Sequence, residues 1–205
     1  MKINTNAWNR IRYTIYSPGY DWVANVFRES RKKSIEALQI KPGEKILILG
    51  SGTGLDLEFL PVDCAITAID ITPAMVERTK TRNLVLKRNL QALVMDGQSL
   101  SFENQYFDKI ILHLILAVIP DPFACIHEAF RVLKKGGTVV VFDKFVPKGR
   151  DVSWRRKILN FFVNFIASDI TRDFESILEN SGLTVLSDEE ADLNGNFRRI
   201  KLIRK

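Results

Sequence analysis

Gly50, Gly52 and Gly54, separated by Ser51 and Thr53, follow the unbroken aliphatic run Ile46-Leu47-Ile48-Leu49. Four aliphatic residues in a row suit a strand covered on both faces, and glycines at every second position let the backbone turn tightly and approach a ligand closely. At position 70, closing a second apolar run that begins at Ala65, stands Asp70. A carboxylate at a strand end can accept hydrogen bonds from two neighbouring hydroxyls, so the chemistry on offer is recognition of a nucleoside-like ligand. The dinucleotide spacing G-x-G-x-x-G is not met, because Leu55 stands where its third glycine would fall. Taken alone, the glycines also suit an ordinary turn, and Asp70 also suits the N-cap of a helix starting at Pro73.

The elements that must position these residues alternate. A polar and aromatic N-terminal region leads into a helix expected from Asp21 to Ile40, with Ala24, Phe27, Ile35 and Leu38 on one face, ended by Lys41-Pro42-Gly43. Strands are expected at Lys45 to Leu49, Ala65 to Ile69, Gln91 to Met95, Asp108 to His113 and Thr138 to Phe142. Between them fit a short helix after Gly54, one from Pro73 to Thr81, and one capped by Asp121 with Pro122 at its first position and stopped by Gly136-Gly137. After residue 143 the rhythm changes to a basic, aromatic insertion (144–171), a helix from Arg172 to Asn180, and two strands, Leu183 to Leu186 and Phe197 to Ile203, joined by an Asn/Gly-containing turn. This βαβ order predicts an α/β fold, a single domain with a doubly wound, mostly parallel sheet covered by helices and closed by an antiparallel hairpin.

The blocks ILILGSGTG, AITAIDITPAM, MDGQSLSFENQYFDKI and IPDPFACIHEAFRVLKKGGTVVV resemble, in order and separation, class I S-adenosylmethionine-dependent methyltransferases of the type 11-like group. The resemblance spans nearly the whole chain and implies a Rossmann-like fold of seven strands with S-adenosylmethionine as cofactor. It places Gly50, Ser51, Gly52 and Gly54 with their backbone N–H groups toward the methionine carboxylate, and Asp70 on the ribose hydroxyls. Ile71 and Met75 would flank the adenine, and Asp96 with Gly97 would meet its amino group. Met75 also suits plain core, and Asp96-Gly97 a simple turn. His113 would line the methionine end, while its setting between Leu112 and Leu114 equally suits a core histidine. Tyr20, in the stretch Tyr16-Ser17-Pro18-Gly19-Tyr20-Asp21, resembles the lid of bacterial phospholipid N-methyltransferases and quinone-biosynthesis methyltransferases, where its ring would close over the sulfonium. Packing of the first helix is its other reading.

One position departs from the pattern. The family's acid two residues before the first glycine is replaced by Ile48, so a backbone carbonyl or Asp56 would have to hold the methionine ammonium, or affinity would fall. A cofactor-binding protein without turnover therefore stands beside the enzyme as a second class. No catalytic residue and no metal site is assigned, because displacement at an activated sulfonium needs mainly alignment and exclusion of water.

Composition narrows the partners. The 205 residues are 46% hydrophobic with a formal net charge of +6, which suits either a solvated basic surface or an anionic partner. Cys64 and Cys125 are far apart and outside any C-x-x-C pattern, as buried thiols would be. The first residues lack the apolar core of a signal peptide and no run is long enough to cross a bilayer, so the protein is expected in the cytoplasm. Lys148, Arg150, Arg155, Arg156 and Lys157 precede the apolar stretch Ile158 to Ile166, which suits peripheral contact with an anionic membrane or a core helix with a basic lead-in. The slot after strand four is His113-Leu114-Ile115, not the Asn/Asp-Pro-Pro-aromatic motif of nucleic-acid amino methyltransferases, so nucleic acid is not expected as substrate. The acceptor implied is small or amphiphilic: a phosphatidylethanolamine-like amine first, a prenylated quinone precursor second.

Overall fold

A computed structural model describes residues 5–17, 19–146, 171–191 and 196–205. The membrane expectation placed on Lys148 to Ile166 lies outside the described residues. Among those described, one seven-stranded sheet runs in the order β3-β2-β1-β4-β5-β7-β6. Its strands are β1 (Lys45–Leu49), β2 (Ala65–Asp70), β3 (Leu90–Val94), β4 (Phe107–His113), β5 (Leu133–Lys144), β6 (Leu183–Glu190) and β7 (Phe197–Arg204). The first five are parallel, and β7 pairs antiparallel with both β5 and β6.

The helices are α1 (Asn6–Tyr16), α2 (Tyr20–Ala24), α3 (Arg28–Glu36), α4 (Pro73–Leu86), α5 (Pro122–Val132) and α6 (Phe174–Leu178). Strand β1 shows why its sequence is aliphatic throughout. Leu47 and Leu49 face one core with Cys125 and Ile126 of α5, whereas Ile46 and Ile48 face another with Ile35 of α3 and Leu57. Alternate side chains thus point to two dry layers. Cys64 and Cys125 are both buried free thiols.

Several boundaries differ from the sequence reading. The helix expected over 21–40 is split: α2 and α3 are separated by a 3-10 turn at Asn25–Phe27. The break lets Phe27 reach across to Phe142 and Phe197, with ring centroids 5.7 and 4.6 Å away. The helix expected after Gly54 is a 3-10 turn, Leu55–Phe59. Helix α4 runs to Leu86, where Lys87 at φ 51° closes it with an N–H bond to the Asn83 carbonyl. Strand β5 begins at Leu133 and passes through Gly136-Gly137, which the sequence reading took as a helix stop. Helix α1 was not anticipated at all; the Thr5 hydroxyl caps it by accepting from the Trp8 N–H. No helix among the described residues is long and apolar enough to cross a membrane.

Candidate functional site

Parallel pairing brings the C-terminal ends of β1, β2, β3 and β4 to one edge of the sheet, and the strand order reverses between β1 and β4. An open α/β sheet has its natural crevice at that switch point. There, a cleft with about 620 Å³ of empty space out to its mouth lies between the strand ends and the N-terminal helices.

The strand ends supply one wall. Gly50 and Gly52 line the cleft in left-handed backbone, φ 71° and 55°. A Cβ on Gly50 would collide with Ile115 Cδ1, so only glycine allows β4's continuation to pack against the turn. Asp70 ends β2 with both carboxylate oxygens turned to the backbone: Oδ2 accepts from Gly52 N–H at 2.9 Å and Oδ1 from Thr72 N–H at 2.8 Å. Burial pushes its carboxyl above the usual range, against the pull of those two amides. Ile71, Met75, Asp96 and Gly97 also line the cleft. Asp96 accepts from Asn6 Nδ2 at 2.6 Å and from the Gln98 backbone N–H at 2.9 Å.

The opposite wall comes from α1 and α2. Asn6, Asn9, Tyr13 and Tyr20 face inward, and Asn9 Nδ2 donates to the Val118 carbonyl at 3.0 Å. Tyr13 and Tyr20 meet edge to face at 6.2 Å. Burial pushes the Tyr20 phenol up to about 12 and the Tyr13 phenol higher still, so both remain neutral near pH 7. They can donate hydrogen bonds and present electron-rich faces, but neither is a base there. Asp21 holds α2 in place by accepting from Thr53 Oγ1 and from Arg82 Nη2, the latter at 2.7 Å. The sequence reading missed Asn6, Asn9 and Tyr13. Their i, i+3, i+7 spacing behind Thr5 was the available signal.

Three expected site residues are placed elsewhere. Ser51 and Gly54 do not line the cleft, and the turn's amides are spent internally: Ser51 N–H donates to the Ile69 carbonyl at 2.8 Å and Gly54 N–H to the Ser51 carbonyl at 2.9 Å. His113 is buried away from the cleft, with Nδ1 2.9 Å from Asp56 Oδ1 and Nε2 3.0 Å from Ser34 Oγ. Asp56, suggested as a replacement for the missing acid at position 48, is bonded to Arg31 Nε at 3.0 Å and is likewise absent from the lining. Ile48 itself fills the core beneath α3.

Leu114, Ile115, Val118 and Ile119 add an apolar surface to the same lining. The whole arrangement can enclose a cationic group between carboxylates and tyrosine faces, with an oily surface beside it.

Comparison with known proteins agrees with this geometry. Residues 47–141 match a family described as a methyltransferase domain. The chain is 26% identical over 188 residues to a phosphatidylethanolamine N-methyltransferase of Cereibacter sphaeroides, covering 91% of this chain and 93% of that protein. It is 32% identical over 135 residues to a demethylmenaquinone methyltransferase of Corynebacterium efficiens, covering 65% of this chain but only 54% of that one. Among solved structures it shares its fold with a geranyl diphosphate methyltransferase in complex with SAM, at TM-score 0.71, 15% identity, and 87% and 85% coverage of the two chains.

Proposed function

Because this chain is an S-adenosylmethionine-dependent methyltransferase, its methyltransferase domain lying at residues 47–141, we propose that it methylates an amphiphilic amine of the phosphatidylethanolamine class in the cleft at the β1/β4 switch point. The observation that carries this reading is the cleft's mixed lining: carboxylates and tyrosine faces together with the apolar side chains of Leu114, Ile115, Val118 and Ile119. An ammonium headgroup suits the carboxylates and tyrosine faces, and an acyl-linked body suits the apolar side chains.

The glycine turn and Asp70 fit the cofactor, since the turn leaves no Cβ in the way and Asp70 keeps unused lone pairs for ribose hydroxyls. The bound sulfonium supplies an activated methyl group. The residues of the chain then have three tasks: Asp70 fixes the nucleoside, Tyr20 and Tyr13 shield the positive charge, and the apolar wall excludes water while the amine nitrogen is aligned. The amine would have to give a proton to water before its lone pair could attack, and displacement at a bound sulfonium would then form the C–N bond, break the S–C bond and leave a neutral thioether.

The N-terminal helices support an acceptor drawn from a lipid surface. Their inner faces carry Asn6, Asn9, Tyr13 and Tyr20, while Ile11, Ile15 and Trp22 are turned to solvent, Trp22 being 85% exposed. A helix with its polar side inward and apolar side outward suits an interface, and Arg10 on α1 suits anionic headgroups. Replacing Ile11, Ile15 and Trp22 together by serine is expected to lower partitioning onto anionic vesicles roughly 100-fold, about 1 kcal/mol for each partly inserted side chain. Sedimentation at low salt measures it, and affinity for S-adenosylhomocysteine should not change. A wild-type protein that ignores such vesicles refutes the interface.

The function itself is tested by incubating the protein with methyl-labelled S-adenosylmethionine and, in parallel, phosphatidylethanolamine vesicles, soluble phosphoethanolamine and a prenylated demethylquinol. Label on the phosphatidylethanolamine headgroup is expected. Label on the quinol ring alone would establish the second reading, which the Corynebacterium efficiens relative supports.

A further inference from the structure

We propose that His113 and Asp56 are positioning residues, which hold the wall facing the glycine turn through the backbone at Leu114. The proposal rests on reading the cleft as the S-adenosylmethionine site. Its basis is a chain of side chains, Arg31, Asp56, His113 and Ser34, all more than nine-tenths buried. Arg31 and Ser34 come from α3, Asp56 from the 3-10 turn that follows Gly54, and His113 from the last position of β4. The links are Arg31 Nε to Asp56 Oδ1 at 3.0 Å, His113 Nδ1 to the same oxygen at 2.9 Å, and His113 Nε2 to Ser34 Oγ at 3.0 Å.

Burial alone would raise the Asp56 carboxyl, but Arg31 and His113 outweigh it and hold it well below the usual range. An ionised carboxylate only accepts, so the His113 Nδ1–H donates to Asp56 Oδ1, while Nε2 pairs with the Ser34 hydroxyl. The ring is therefore fixed from both sides. Ile48, packed in the core on this same face, offers no competing acid.

The next residue converts that fixation into the shape of the cleft. Leu114 sits at φ 56°, a conformation a leucine adopts only when its surroundings force it. It is forced from two directions: His113 is clamped on one side, and the Leu114 N–H is bonded to the Phe142 carbonyl at 2.8 Å on the other. With the backbone so bent, Leu114 and Ile115 line the cleft, and Ile115 packs against Gly50. The chain of side chains that includes Asp56, one residue past the start of the 3-10 turn, thus ends at Ile115, which packs on the glycine turn itself.

Calorimetric titration with S-adenosylhomocysteine tests the chain by a double-mutant cycle. His113→Leu is expected to weaken binding about tenfold in the wild-type background. In the Leu114→Gly background, where glycine adopts the left-handed backbone unaided, the same change should cost about twofold or less. A merely structural histidine would cost the same in both backgrounds, and equal losses overturn the proposal. His113→Asn, which keeps a donor near the Nδ1 position, is expected to restore binding to within about threefold of wild type. If His113→Leu does not fold, Ser34→Ala replaces it in the cycle, with about threefold expected in the wild-type background and no loss beside Leu114→Gly. Asp70→Ala, measured alongside, separates the two readings: loss there with wild-type affinity in His113→Leu overturns this proposal alone, whereas wild-type affinity in Asp70→Ala removes the cleft as the cofactor site and the proposal with it.

Discussion

Gly52→Val is expected to abolish measurable binding of S-adenosylhomocysteine while leaving the sheet folded. Gly52 has φ 55°, and the first atom of any side chain placed there would already lie 3.5 Å from Tyr20 Cε1. Valine adds two further carbons beyond that point, into the space between the turn and the tyrosine. It also places a β-branched residue in left-handed backbone, at a cost of about 1–3 kcal/mol. That strain weakens the donation from Gly52 N–H to Asp70 as well. The sheet should survive, because β1 pairs with β2 and β4 over residues that end at Leu49. Titration should show no heat and far-ultraviolet circular dichroism should match wild type. Unchanged affinity would mean that the glycines form only a turn.

Asp70→Ala is expected to weaken S-adenosylhomocysteine by about 2 to 3 kcal/mol, roughly 30- to 150-fold, the scale of two charge-assisted hydrogen bonds to hydroxyls. The variant also strips the acceptor from the Gly52 and Thr72 amides, which ties the turn to the start of α4. Asp70→Asn retains one acceptor and should fall between the two, about tenfold below wild type. NAD should not bind the wild type measurably, since the turn lacks the dinucleotide spacing. A loss below threefold in Asp70→Ala would place the ribose elsewhere.

What could be read from the residues was local and sat at strand ends. Gly50, Gly52, Asp70, Ile71, Met75, Asp96 and Gly97 all line the cleft, because each lies within five residues of the end of a strand whose aliphatic run marks its position. The sheet followed from the same runs. What escaped depended on distant partners. His113 finds Asp56 and Ser34 57 and 79 positions away, so nothing beside it in the sequence distinguishes a clamped core ring from a cleft-lining one. Helix α1 escaped for a different reason: its polar residues face inward and its isoleucines outward, the reverse of the pattern by which a core-facing helix is recognised. The amides of Ser51 and Gly54 were assigned outward because a glycine turn before a helix usually points its N–H groups at a ligand. Here a 3-10 turn follows, the Ser51 N–H donates to Ile69 on β2 and the Gly54 N–H donates back to the Ser51 carbonyl.

The central claim, that S-adenosylmethionine lies in the cleft between the glycine turn and the two N-terminal helices, is tested most directly by a crystal structure of the protein with S-adenosylhomocysteine. The ligand is predicted in that cleft, with both ribose hydroxyls within hydrogen-bond distance of Asp70 and the adenine between Met75 and Asp96. Ligand density outside the cleft, or a ribose that does not touch Asp70, would contradict it.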